Sequence, residues 1–391
     1  GLIADILNDW FQKRVEFRKL EKKYGEAKDT EKYEFYAKRQ LVQKILLNSM
    51  YGVLGLPAFR FYDIDNAEAV TVTGQTVIKK TAEMANRKYW KELGTTDDYN
   101  VYIDTDSIYM MAEPLVKHRY PEYKTFDEKR MAVEVDNIAT ETQTFLNSFY
   151  DLLAERFFFI PKDKHRFEIK KEYISKAGFW VAKKRYAQWM ILKNGIPCDK
   201  LDVKGLDVVR SSFPKAFQKF MSTMLKDILM GKDHEYIDDT LLTFKKSLPT
   251  LPVNTIAKGG ALKELSKYDK GNWKSGDAVA NFEKGTPAHV KAGITYNRLL
   301  KFFNCPYKHE PIRDGDKVKW VYLKDNPLGL ETVAFKDYND PKEIMDFVET
   351  YVDRNKIFEA ELENKLDDFY NALKWDKVTA DTKTAKKFFA F

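Results

Sequence analysis

The chain has 391 residues, 44% of them apolar and 14% aromatic, enough to bury a sizeable core and to form two or three folding units. Its 66 Lys and Arg against 59 Asp and Glu leave a net charge of +7, which suits a polyanionic partner without requiring one. Cys198 and Cys305 make neither a CxxC pair nor a zinc spacing, and the sequence carries no bilayer-length apolar run, signal peptide or lipidation motif, so a soluble, cytoplasmic protein with no membrane partner is expected.

From Leu2 to Lys23 the apolar residues Ile3, Ile6, Leu7, Trp10 and Phe11 fall at helical spacing before the segment turns basic, and Arg14 and Arg18 lie one turn apart where both can face one ligand. The polar stretch Gly25 to Lys32 turns the chain into a second helix, Tyr33 to Gly52, with Gly52 as its stop. On that helix Lys44, Asn48 and Tyr51 share one stripe at i, i+4 and i+7. Such a stripe suits a nucleoside triphosphate, with the Lys on phosphate, the Asn as an adaptable hydrogen-bond partner and the Tyr against sugar or base; an ordinary exposed face is the alternative. The chain leaves the helix through Gly55 and Pro57, and a third helix follows from Glu68 to Leu93, with Ile78, Ala82, Ala85 and Tyr89 facing the core.

Next comes Asn100-Val101-Tyr102-Ile103-Asp104-Thr105-Asp106-Ser107-Ile108-Tyr109-Met110, two β-prone runs around an acidic tip. Carboxylates one residue apart on a tight turn, Asp104 and Asp106, are well placed to hold Mg²⁺, which wants hard oxygen ligands and leaves its remaining positions to water and phosphate. The alternative is a pair of turn formers on a solvated loop. A helix rich in Phe and Leu is expected from Glu128 to Phe157, then a strand pair from His165 to Lys170 and onward, with Trp180 and Lys183-Lys184-Arg185-Tyr186 in its return strand. The cations of that run can track phosphates, and its Tyr can pack on sugar; a basic surface patch is the alternative.

Lys44-x-x-x-Asn48-Ser49-x-Tyr51-Gly52, then Tyr102-x-Asp104-Thr105-Asp106-Ser107, then Lys183-Lys184-Arg185-Tyr186-Ala187 resemble three ordered motifs of the family B replicative DNA polymerases, in the bacteriophage-type branch. The resemblance implies an α+β fold made of a helical-hairpin fingers domain (1–55), a partial palm with an antiparallel sheet (56–205) and a mainly helical thumb (206–391). It implies Asp106 and Asp104 as catalytic metal ligands for two Mg²⁺ ions. Arg14, Arg18, Lys44 and Asn48 are then on the triphosphate and Tyr51 under the nascent base pair, Arg18 standing where the family has Lys. Lys184 and Tyr186 would check the new base pair through its minor groove, with Lys183 and Arg185 on DNA beside them. Glu172 lies near an additional acid of some family members, an exposed strand carboxylate being the plainer reading.

From Leu201 the character changes. Lys204-Gly205-Leu206-Asp207 and Arg210 to Pro214 resemble the palm-to-thumb transition, followed by helices from Pro214 to Met230 and His234 to Ser247. The terminal Lys386-Lys387-Phe388-Phe389-Ala390-Phe391 resembles a tail that binds a sliding clamp, against simple docking on its own domain. The family motif Asp-x-x-Ser-Leu-Tyr-Pro-Ser, which supplies another bridging acid, has no counterpart here, and Asp63 and Asp65 lie in the wrong context to replace it. The expectation is the carboxyl-terminal portion of a template-directed DNA polymerase, either split naturally or truncated, opening on Gly rather than Met. It would use primer-template DNA and deoxynucleoside triphosphates and need an amino-terminal half for full activity. The alternatives are an inactive primer-template-binding fragment and, more remotely, a nucleotide-sugar transferase using Asp104-x-Asp106 as a metal-binding DxD.

Overall fold

The structure, a computed structural model, describes residues 1–270, 282–305 and 309–376, so Phe388 and Phe389 lie outside the described residues. The chain is α+β and divides into two compact units, Gly1–Lys171 and Glu172–Phe391, so that the expected palm segment 56–205 contributes to both.

The first unit opens with two long antiparallel helices, α1 (Leu2–Glu26) and α2 (Thr30–Leu54). Asp29 caps α2 by accepting the amide of Lys32 at 3.1 Å, so the helix starts three residues before its apolar pattern does. Gly52 does not stop it. The helix continues to Leu54 and is capped at Gly55, because an interior glycine costs only about 1 kcal/mol and the chain still has hydrogen bonds to make. Tyr24 stacks on Tyr36 with ring centroids 5.5 Å apart, and Arg39 lies over Phe17 at 5.9 Å, which fixes the register of the pair. Every residue of α1 is at least partly exposed, so the hairpin stands largely in solvent.

Asp63 caps α3 (Ile64–Leu93) through the amide of Asn66 at 3.0 Å, a structural task for that carboxylate. Ile78, Ala82, Ala85 and Tyr89 are buried as their spacing predicts, and Gly94 ends the helix at φ +68°. The strands β1 (Asn100–Asp104) and β2 (Ser107–Met110) pair antiparallel beside it, followed by α4 (Glu113–Arg119) and α5 (Glu128–Phe157). Tyr89, Tyr99, Leu115, Val116 and Ile138 form the core joining these elements. At its margin Arg119 bridges Glu92 and Glu141.

The expected strand from His165 to Lys170 does not form. Side chains take its backbone groups instead: His165 Nδ1 accepts the Phe167 amide at 3.1 Å, and from α5 Asn147 both donates to the Ile169 carbonyl (3.0 Å) and accepts the Ile169 amide (2.9 Å), while Gln143 accepts the Lys171 amide just beyond.

The second unit begins with an antiparallel meander, β3 (Tyr173–Ala182), β4 (Arg185–Lys193) and β5 (Ile196–Lys204). Trp180 therefore sits on β3, Lys183 and Lys184 form the turn, and Arg185 and Tyr186 open β4, which refines the single return strand expected for them. Helices α6 (Lys215–Leu229) and α7 (His234–Ser247) follow, then the short α8 (Val253–Ile256). Strand β6 (Lys258–Ala261) heads a second antiparallel sheet, ordered β6-β7-β8 with β7 (Lys317–Tyr322) and β8 (Thr332–Phe335). Between β6 and β7 lie α9 (Leu265–Tyr268) and α10 (Ala288–Phe302). After β8, α11 (Lys342–Tyr351) and α12 (Arg354–Phe358) lead through a π-turn to α13 (Asn364–Leu373). One apolar core runs through this unit. Phe217, Phe335, Phe358 and Phe369 are nearly inaccessible in it, each contributing on the order of 2–3 kcal/mol by leaving water. Its last helix returns to the first strand, where Phe369 packs on Phe179 at 5.6 Å.

Candidate functional site

The acidic hairpin alternates in register from Tyr102 to Tyr109, beyond an irregularity between Asn100 and Tyr102. Tyr102 pairs with Tyr109 and Asp104 with Ser107, so these four share one face, while Ile103 and Ile108 take the other. At the tip, Thr105 has φ +54°, a left-handed conformation that a β-branched residue rarely adopts. The amide of Asp106 donates to the carbonyl of Asp104 at 2.6 Å, closing a three-residue turn. Two side chains brace it. Ser107 Oγ donates to the Asp104 carbonyl at 3.0 Å, and Thr105 Oγ1 donates to Asp104 Oδ1 at 3.1 Å. Asp106 is exposed and Asp104 half-buried.

Such a tip fits Mg²⁺ in its donor chemistry, since it offers hard carboxylate oxygens on a braced turn. No His, Cys, Asp or Glu groups with both of them to make a set of three among the described residues, so the rest of an octahedral shell falls to water, to substrate phosphate or to other groups.

On the helical hairpin, Lys44, Asn48 and Tyr51 are all exposed along one stripe of α2, as their spacing predicts. Arg14 behaves differently from an ordinary surface cation. Its Nε is buried without a hydrogen-bond partner among the described residues, and its guanidinium is held below the usual arginine range by burial first and by the neighbouring Arg18 second. Going one helical turn away from the connecting loop in each helix from the Phe17–Arg39 contact reaches Arg14 on α1 and Gln43 on α2, whose Oε1 is likewise buried and unbonded among the described residues. Gln43 did not stand out in the sequence, because an amide on a long helix carries no local signal.

Tyr51 also lines a shallow cavity of about 360 Å³ with Gly52, Gly55, Ile64, Ala67, Glu68 and Thr71. The four α3 residues recur at i, i+3, i+4 and i+7, and two of them, Ile64 and Ala67, lie ahead of the expected helix start at Glu68.

In the second unit, the turn between β3 and β4 presents Lys183 and Lys184 to solvent, Lys184 at φ +61°. Gly205, at φ +65°, lies against this turn so closely that an added Cβ would overlap the Lys184 carbonyl oxygen and stand 3.0 Å from its carbon. Arg185 is committed to Asp368 at 2.6 Å. Tyr186 is 5% exposed and stacks with Trp180 across the strand pair, so it offers a ligand little more than an edge. Glu172 is exposed just before β3, and its carbonyl accepts the Asn194 amide at 2.7 Å.

The sequence profile of DNA polymerase family B matches residues 1–119, a span that carries the helical hairpin and the acidic tip. The DNA-directed DNA polymerase of Enterobacteria phage T4 is 28% identical over 82% of this chain and 35% of its own length, and that of Escherichia phage RB69 is 27% identical over 86% and 37%. A DNA polymerase of Archaeoglobus fulgidus is 27% identical over 95% of the chain and 42% of its own length. The profile match and these relatives support a DNA polymerase of family B. The chain's similarity to the two phage polymerases supports the phage-type branch. The chain spans between about a third and two-fifths of the length of these three relatives. Among its described residues no helix is long and apolar enough to cross a membrane.

Proposed function

We propose that the chain carries the nucleotide-binding and part of the metal-binding machinery of a template-directed DNA polymerase. The observation that carries this reading is the acidic tip: two carboxylates one residue apart, braced by Ser107 and Thr105 on a strained turn, inside the span matched by the family B profile. Residues 1–55 then act as fingers, 56–205 as most of a palm and 206–391 as a thumb.

Asp106, with Asp104 beside it, would hold Mg²⁺. When bound, the two ions of such a site lower the pKa of the primer 3′ oxygen and neutralise the leaving pyrophosphate. Arg14, Arg18 and Lys44 bind the triphosphate of a deoxynucleotide, and the Nε of Arg14, buried and without a partner among the described residues, gives that anion a donor already stripped of water. Asn48 orients it, and Tyr51 packs beneath the incoming base. Lys183 and Lys184 contact the primer-template backbone, where binding is independent of sequence and weakened by salt. Tyr186 reaches the base pair by its edge, and Glu172 is a further acid for the metal site. The tail with Phe388 and Phe389 is proposed to reach a sliding clamp.

Full activity is proposed to need an amino-terminal polymerase half. Two facts support this: the relatives are more than twice as long, and the tip acids have no third acid grouped with them among the described residues. The test is primer extension with Mg²⁺ and four deoxynucleotides, by the chain alone and with the amino-terminal portion of a phage-type polymerase. Extension in the mixture, abolished by Asp106→Ala, is the expected result. Extension by the chain alone would overturn the incomplete site. DNA binding without extension in either case would identify an inert DNA-binding piece.

A further inference from the structure

Tyr186 is held from one side by a neighbour that the reading above leaves without a task. Along β3, Phe179 points into the core while Gly178 and Trp180 share the opposite face, two residues apart. The Trp180 ring does not stand up from the sheet. It lies back over its own strand, and a Cβ on Gly178 would overlap its Cη2 and Cζ3 carbons and stand 3.4 Å from Cε3. In that posture the indole is nearly parallel to the ring of Tyr186, its direct partner on β4, at 22° with centroids 6.0 Å apart. On the far side of Tyr186 the register places Lys204 of β5.

We propose that Trp180, seated in the gap left by Gly178, is the positioning residue for Tyr186, and that Gly178 is glycine because any side chain would unseat the indole. The argument is steric. Trp180 has no room to lie flat if position 178 carries a Cβ, and a Trp180 that stands up gives Tyr186 no plate to stack on. Without the plate the Tyr186 ring gains freedom beside the exposed Lys183-Lys184 turn. Aromatic pairs of this kind contribute geometry beyond their buried area, which is what a group that judges the shape of a base pair requires. The functional half of this inference rests on the reading that Tyr186 faces primer-template DNA; the positioning half does not.

The experiment has two readouts on the same proteins. 3-Fluorotyrosine is placed at position 186 of the full chain and its ¹⁹F shift is recorded for the unsubstituted protein and for Gly178→Ala, Trp180→Ala and Trp180→Phe. Extension from matched and mismatched primer ends is measured in parallel, with the rest of the polymerase present where extension needs it. Gly178→Ala and Trp180→Ala are expected to move the ¹⁹F shift alike and to lower discrimination against mismatched ends by about tenfold, with Trp180→Phe recovering part of both. In a Tyr186→Ala background, Trp180→Ala is expected to change discrimination by less than about twofold, since its effect runs through the missing ring. An unmoved ¹⁹F shift in Gly178→Ala, or a full Trp180→Ala effect without Tyr186, overturns the proposal. A moved shift in a protein that extends no primer under any condition upholds the positioning and overturns the polymerase reading.

Discussion

Gly205 offers the sharpest test of how the lysine turn is held, because a second glycine in the same sheet serves as its control. Gly195, in the turn between β4 and β5, has φ +77° and nothing within 4 Å of an added Cβ; Gly205 has φ +65° and the Lys184 backbone in the way. Gly195→Ala should therefore cost only the left-handed penalty, about 1–2 kcal/mol. Gly205→Ala adds to the same penalty the displacement of packed backbone, about 1–3 kcal/mol more. For a folding unit of this size, that difference lowers the melting temperature by a further ~2–12 °C. Urea unfolding of both variants measures it directly, and primer-template binding supplies a second reading, because only the Gly205 clash pushes on the turn that carries Lys184. Equal destabilisation by the two alanines, within about 0.5 kcal/mol, would refute the close approach as the reason for Gly205.

Arg14→Gln removes a partly buried cation that faces Arg18, so the nucleotide-free protein should melt no lower than the original, while affinity for a deoxynucleoside triphosphate falls about tenfold, or 1.4 kcal/mol. Thermal melts with and without nucleotide and Mg²⁺ check both halves; a clear drop in the nucleotide-free melt would mean that Arg14 has a structural partner. Hydrogen bonds from Arg119 hold the carboxyls of Glu92 and Glu141 below the ordinary glutamate range. A depressed carboxylate stabilises above its unfolded pKa, about 4.3, and that contribution is lost as pH falls through the folded value. The first unit should therefore weaken below about pH 4, and Arg119→Met should cost about 1 kcal/mol at neutral pH while flattening the acid response in urea titrations at pH 7 and pH 3. Thr105→Gly should leave stability within about 0.5 kcal/mol, the relief of left-handed strain offsetting the glycine's greater chain entropy, yet lower extension several-fold because the acidic tip loses its brace.

Much of the architecture was legible because it follows from period and capping. The four apolar positions of α3 are buried as predicted, and α5 and the acidic hairpin run between the residues expected of them. Misreadings arose where a distant group decided the outcome. His165 to Lys170 has strand composition, but Asn147 on α5 and the ring of His165 itself take its backbone groups. Gly52 looks like a stop only if the hydrogen bonds that continue beyond it are unknown. Asp63 and Asp65 were set aside as metal ligands on context, and for Asp63 the structure supplies the physical reason, since its carboxylate caps α3. Within the site, the types and spacing of Lys44, Asn48 and Tyr51 point to triphosphate chemistry and Arg14 joins them through the family resemblance, but the desolvation of Arg14 depends on how two helices pack.

Among the described residues, the three tight hairpin turns of β1–β2, β3–β4 and β4–β5 show motif and conformation parting company. Between β4 and β5 the chain uses Asn194-Gly195, both with positive φ, the pair that local propensity selects for a two-residue turn. The other two turns break that rule: the left-handed positions are filled by Thr105 at the acidic tip and Lys184 at the basic one. Neither residue relieves strain there, and each costs about 1 kcal/mol or more that glycine or asparagine would save. A turn selected for folding alone would resemble the third. The two exceptions carry the carboxylates and the lysines proposed to meet metal and DNA, as conflict between local preference and function predicts. Other left-handed non-glycine residues, such as Lys28, Phe159 and Glu264, lie outside the proposed site, so conformation adds to the motifs and does not replace them.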